Sequence, residues 1–317
     1  MTCIRCQHQT CKRFGYFGKR RIQRWRCTSC RSTFSEPQPQ SALGSMHTSE
    51  EAAARAIQCL IEGCSIRTTE RITGLNRNTI MRLLVVIGNR CARLLDTRMR
   101  NLHCRYVQCD EIWTFVQKKQ RQVRRDPNPY EIGDQWVFVA MDAETKLIAS
   151  YVVGKRTMES TTNFMHDLCG RLSDRIQLTT DAFPFYKNAV EDAFGIDVHF
   201  AQLLKLYGDY GQHGNEKYSP SPITEVIPKV RMGDPDPRHI STSFVERQNL
   251  TMRMQMRRLT RLTNAFSKKL ENLKAALAIH FAWYNFVRVH ASLRVTPAME
   301  AGLTDHVWTI AELLGAA

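Results

Sequence analysis

The chain has 317 residues, with 45 Lys and Arg against 30 Asp and Glu for a formal charge of +15, and 11 cysteines. That length favours two or three units, and a positive excess with both signs abundant points to a folded protein that meets a polyanion, of which phosphate backbone is the usual one. The longest apolar runs, Leu83 to Ile87 and Trp136 to Met141, are far too short to span a bilayer, and an odd, scattered set of cysteines argues against a disulfide scaffold, so a soluble, uncleaved, cytoplasmic protein is expected.

Cys3-x-x-Cys6, twenty residues, then Cys27-x-x-Cys30 has the spacing of a four-thiolate zinc ribbon within 1–36, two knuckles closing a tetrahedron around one Zn2+. His8 and Cys11 are close enough to be substitute ligands. Between the knuckles Lys12, Arg13, Lys19, Arg20, Arg21, Arg24 and Arg26 are interleaved with Phe14, Tyr16, Phe17 and Trp25. That mixture suits contact with DNA backbone or, equally, a solvated hairpin that packs its aromatics around the metal.

Residues 37–48, rich in Pro, Ser and Gln, have no apolar period and are expected to be a linker. Helical spacing follows over 49–100. Ser49 to Glu62 is one helix and Ser65 to Ile72 a second. After the turn Gly74-Leu75, Asn76 caps a third that carries Ile80, Leu83, Leu84 and Ile87 on one side. Helix, Gly turn, capped helix is helix-turn-helix logic, and it turns Arg77, Asn78, Met81 and Arg82 outward to meet a DNA major groove. A three-helix structural bundle has the same pattern.

Strands begin at Arg105. The strand Arg105 to Phe115 carries Asp110 and Glu111, and side chains alternate along a strand, so only one joins a given site and Glu111 is expected to face away. Trp136 to Met141 and Lys146 to Val153 flank the turn Asp142 to Thr145 and complete an antiparallel meander, with a loop from Gln117 to Gly133 inside it. Next come a helix over Ser160 to Leu172, a strand Arg175 to Thr180 ending at Asp181, a helix near Tyr186 to Phe194 and a short strand at Val198 to Ala201. This is the order of an RNase H-like (retroviral integrase-type) α/β core over 101–290, in which the fourth strand pairs with the first and brings Asp181 beside Asp110.

The segment Leu206 to Thr242, with five prolines, is expected to be a long functional or mobile loop. Ser243 to Arg258 is then a helix with Glu246, Asn249, Arg253 and Arg257 on one side. Basic residues Arg258, Arg261, Lys268 and Lys269 follow, then an amphipathic helix from Leu270 to Phe286 and a C-terminal tail at 291–317. Asp110, Asp181 and Glu246 thus lie mid-strand, at a strand end and at a helix start. Converging carboxylates repel unless a cation sits between them, and an all-oxygen set favours Mg2+ or Mn2+ and two-metal phosphodiester chemistry. Asp142 is the alternative third acid.

On these residues the chain resembles the DDE transposases, and more closely those of the insertion-sequence-one family. The matching segments are Cys27 to Phe34, Gln108 to Trp113, Thr179 to Asp181, Ser241 to Thr251, Arg261 to Lys269 and Tyr284 to Ala298. Two departures, the long Gln117 to Gly133 loop and Ala182 where relatives often carry Gly, remove no ligand. The resemblance implies a catalytic triad of Asp110, Asp181 and Glu246 with Mg2+, and zinc and helix-turn-helix elements that bind double-stranded DNA at the terminal inverted repeats of an insertion sequence. It also implies a homo-oligomer on DNA, at the nucleoid. Arg253 and Arg257, with Arg258 and Arg261 beyond them, would hold DNA phosphates beside the metals. A DNA-binding regulator with an inert core and a metal-dependent nuclease of the same fold are the alternatives.

Overall fold

The computed structural model describes residues 1–18, 21–36, 43, 46–123, 129–208, 222–261 and 263–316. Residues 37–42, 44 and 45 of the expected linker lie outside them, as do Lys19 and Arg20. Contacts divide the chain into two compact units, Met1–Ser45 and Met46–Ala317.

The first unit is a three-stranded antiparallel sheet in the order β1 (Cys11–Phe17), β2 (Ile22–Cys27), β3 (Thr33–Ser35). Among the described residues its apolar core cluster is Cys3, Cys27 and Phe34, with Cys11 and Trp25 packed against them. So small a cluster cannot hold a fold by apolar burial alone, which is why metal ligation matters here.

The second unit begins with α1 (Glu50–Ile61), α2 (Ile66–Thr73) and α3 (Arg77–Arg98). Each has the cap its sequence supplies: the side chains of Ser49, Ser65 and Asn76 accept backbone N–H groups at the three N-termini. Gly74, at φ 71°, closes α2 in the left-handed conformation that only glycine adopts without strain. The buried side of α3 carries Ile80, Leu83, Leu84, Ile87 and Cys91.

The sheet that follows has six strands: β4 (Tyr106–Val116), β5 (Gly133–Asp142), β6 (Ile148–Gly154), β7 (Ile176–Asp181), β8 (Val198–Tyr207) and β9 (Ile223–Met232), in the order β6-β5-β4-β7-β8-β9. The first three form the antiparallel meander, and β7 pairs parallel with β4 and with β8. Helices α4 (Met158–Cys169) and α5 (Phe185–Phe194) supply the crossovers. Two further helices, α6 (Ser243–Gln255) and α7 (Leu270–Phe286), precede the short α8 (Pro297–Glu300) and α9 (Ile310–Ala316).

The alternation of β4 sorts these helices into layers. Glu111 is paired across to Phe138, whose ring meets Phe164 of α4. Asp110 is paired to Val139, itself opposite Tyr151, whose ring meets Phe281 of α7. One face of the sheet therefore carries α4, and the other α7 and α6. Helix α3 is packed against elements that follow residue 100. Gly88 of α3 lies so close to Ala275 of α7 that an added Cβ would come within 2.5 Å of it, and Arg171 donates to the Leu95 and Met99 carbonyls at the end of α3 while pairing with Asp167 of α4.

Three expectations need correction. The segment 206–242 is not one loop: β8 runs on to Tyr207, and β9 pairs antiparallel along it with Pro228 inside the strand. Proline is excluded from central strands but tolerated at a sheet edge, where β9 lies. Helix α6 stops at Gln255, not Arg258, because Met256 is extended (φ −105°, ψ 101°). And α7 is not amphipathic; Leu273 and every residue from Ala275 to Phe286 are buried, as suits a nearly continuous apolar run. Among the described residues no helix is long and apolar enough to cross a membrane.

Candidate metal centres

In the first unit the Sγ atoms of Cys3, Cys6, Cys27 and Cys30 all lie within 4.8 Å of one another. The Cys3–Cys30 and Cys6–Cys27 separations are both 3.6 Å. A zinc tetrahedron with bonds of about 2.3 Å has edges of roughly 3.8 Å, so the four thiols fit Zn2+. The two knuckles share one device: the residue after the second cysteine of each pair, Gln7 or Arg31, has φ 57° and turns the chain back. His8 and Cys11 stay outside the group, His8 facing Thr10 and Thr28 and Cys11 lying opposite Cys27 in the ladder.

The acidic centre is built on β4. Continuing the parallel register from Cys109 opposite Thr180 brings Asp181 beside Asp110. Gln108, two residues before Asp110 and so on the same face, accepts the backbone N–H groups of Phe244 and Val245 at 2.9 and 3.2 Å. It thereby caps α6, whose own N-cap residue Thr242 makes no side-chain cap bond. One turn beyond Glu246, Asn249 Nδ2 donates to Asp110 Oδ2 at 2.8 Å. These contacts fix α6 across β4.

The carboxylates of Asp110, Glu111 and Asp181 come within 4.8 Å of one another. Oxygens around a six-coordinate Mg2+ at about 2.1 Å lie roughly 3 to 4 Å apart, so a group this close could hold a cation. Burial, with Asp181 next, pushes Asp110 up to about 6; burial also raises Asp181. Glu246 adds a smaller upward push on both, which places it within electrostatic reach. A divalent cation would relieve this shared repulsion. Glu246 lies outside that group and is held by Lys205 Nζ and Thr242 Oγ1.

Glu111 does not face away as expected. Alternation fixes where its Cβ leaves β4, but not where a longer side chain ends, and the Arg156 guanidinium draws its carboxylate toward Asp181 at the strand end. Asp142 stays out of the cluster: its Oδ2 accepts from the backbone and hydroxyl of Thr145 and closes the β5–β6 turn.

Of the basic residues expected to meet DNA, Arg77, Asn78 and Arg82 are exposed at the start of α3, and Arg257 and Arg261 are exposed after α6. Arg257 lies beyond the helix end and leaves the face of Glu246. Arg253 is half-buried, donates to the Leu259 carbonyl, and is lowered by burial and then by Arg261. Arg258 turns inward to Ser267 Oγ and the Asn272 carbonyl, and burial pulls it down to about 10. Both bonds are made by Nη1, and the residue is half-buried.

The parts that sequence reasoning missed are Gln108, Arg156 and Lys205. Gln108 has a weak local signal, its two-residue offset from Asp110; Arg156 and Lys205 have none. No family model matches the chain, and no curated protein matches it.

Proposed function

We propose that the chain is a transposase of the DDE type, which binds the terminal inverted repeats of an insertion sequence and carries out metal-dependent DNA strand cleavage and strand transfer. The observation that supports this reading is Asp110 on a central strand beside Asp181 on the adjacent parallel strand, with the helix that carries Glu246 bound across the first by Asn249 and Gln108. Three antiparallel strands followed by parallel crossovers support an RNase H-like core, and the capped α2–α3 pair supports a helix-turn-helix.

Asp110, Asp181 and Glu246 would hold Mg2+ or Mn2+, which when bound supplies Lewis-acid activation of the attacking and leaving oxygens of a phosphodiester exchange. Asn249 orients Asp110, and Lys205 pairs with Glu246. Arg253 and the exposed Arg257 and Arg261 lie along the exit of α6, where they suit phosphate contact; Arg77, Asn78 and Arg82 suit base edges. Joined DNA ends imply a homo-oligomer, acting at the nucleoid in the cytoplasm.

The test uses a labelled terminal-repeat duplex with a free 3′-hydroxyl, a plasmid target and Mn2+ or Mg2+, comparing the native chain with Glu246→Gln. Joined product from the native chain alone supports strand transfer. Cleavage without joining identifies a nuclease, and binding without chemistry a regulator.

A further inference from the structure

Arg156 follows β6 and lies beside the acidic centre, where nothing in the triad reading uses it. Its Nη2 and Nε donate to Glu111 Oε2 at 3.1 and 3.3 Å, and Nη2 stands 3.9 Å from Asp181 Oδ2. The guanidinium is fixed between rings, 3.9 Å from the centroid of Phe183 and 4.7 Å from that of Trp136. Glu111 itself is sealed: its side chain is 1% exposed and its Oε1 has no partner among the described residues. The buried hydroxyl of Tyr186 lies near the same carboxyl.

A buried carboxylate beside two others is costly, and it persists where another group needs it. Here that group is the arginine. A guanidinium at this position has two carboxyl groups in reach, and with Glu111 absent the remaining one is Asp181. An Arg–Asp181 pair would occupy the oxygen that a divalent cation requires.

We propose that Glu111 is a positioning residue that holds the Arg156 guanidinium off Asp181, so that Asp181 stays open to a divalent cation. The proposal rests on the metal-site reading above. Its components are separable: Glu111 needs the acceptor oxygen it offers Arg156 and the reach to offer it, and it is dispensable once Arg156 is gone.

The experiment measures Mn2+ binding by calorimetry on the full zinc-loaded chain, with Asp110→Asn as the blank and thermal melts to verify folding. Glu111→Leu removes the acceptor and should weaken Mn2+ binding by about tenfold, one unit of differential interaction. Glu111→Asp keeps a carboxyl but withdraws it by one methylene, and should weaken binding to a similar extent. The double variant Glu111→Leu/Arg156→Gln should return to within about threefold of the native chain. Native-like binding by Glu111→Leu or Glu111→Asp would overturn the proposal, as would a double variant that melts normally yet stays weak. If the native chain shows no Asp110-dependent Mn2+ binding, the metal-site reading itself fails, a result distinct from a native site that binds but ignores Glu111.

Discussion

Asn249 Nδ2 donates to Asp110 Oδ2 across 2.8 Å, joining a helix to the central strand of the sheet through residues 139 positions apart. The bond does two things. It selects the orientation of Asp110, and by tying the second turn of α6 down it sets where Glu246, one turn earlier, is presented. Because it also favours the ionised form of Asp110, it opposes the burial that raises this acid to about 6. Asn249→Leu should therefore move the pH midpoint of Mn2+ binding upward and cost about 1 kcal/mol of stability, the usual worth of such a bond. A pH series of Mn2+ titrations reads the first effect, and urea denaturation the second; an unmoved midpoint would mean that Asn249 does not orient the ligand.

Burial raises Glu111 to about 8 from an ordinary 4.5, with Asp181 as the next cause. The folded chain thus binds a proton at Glu111 that the unfolded chain has released. The stabilisation is complete below the unfolded value and is lost as pH rises through about 8. Glu111→Gln lacks this titration. The stability of the metal-free native chain relative to Glu111→Gln should fall by up to a few kcal/mol between those limits and level off above them. Urea melts of both proteins across that pH range provide the comparison, and a constant difference would place Glu111 in a solvated setting.

The outlines of this fold are legible in the sequence, and the reasons are local. Ser49, Ser65, Asn76 and Gly74 mark helix ends by their own side-chain chemistry, and the Cys3 to Cys30 spacing needs only a tetrahedron to interpret. Asp110 and Asp181 are legible because a strand end next to a central strand limits where their oxygens can be. What is not legible depends on partners far along the chain. Pro228 suggests a loop until β8 is seen to leave an edge open beside it, and Arg258 counts as a surface cation until Ser267 and Asn272 enclose it. Glu111 is the sharpest case, since the alternation that sends its Cβ away is correct and the ion pair that returns its carboxylate is set by Arg156, 45 residues on.

Zinc should be a condition for folding of the first unit and of little consequence for the second. The cluster of Cys3, Cys27 and Phe34 is too small to persist without ligation, whereas the six-stranded unit has its own core. A strong chelator, or Cys27→Ser, should release one Zn2+ per chain and make Met1–Ser45 sensitive to protease while the main thermal transition stays in place. Loss of both transitions together would show that the units depend on each other.

The α3–α7 contact is the tightest helix approach around a glycine: a Cβ on Gly88 would meet Ala275 Cα, Cβ and O at 2.5 to 2.6 Å. Gly88→Ala should destabilise the second unit by about 1–3 kcal/mol or more through overpacking. Guanidinium denaturation would record it, and an unchanged midpoint would mean that the helices can separate freely.

The most direct examination of the acidic centre is a crystal of the zinc-loaded chain soaked in Mn2+ and measured for anomalous scattering, with the zinc at the four cysteines as internal reference. The expected result is a manganese peak at about 2.2 Å from oxygens of Asp110 and Asp181, with Glu246 released from Lys205 and turned toward the ion. Strong zinc signal with no manganese between those carboxylates, and Glu246 still on Lys205, would contradict a metal-dependent site on this sheet.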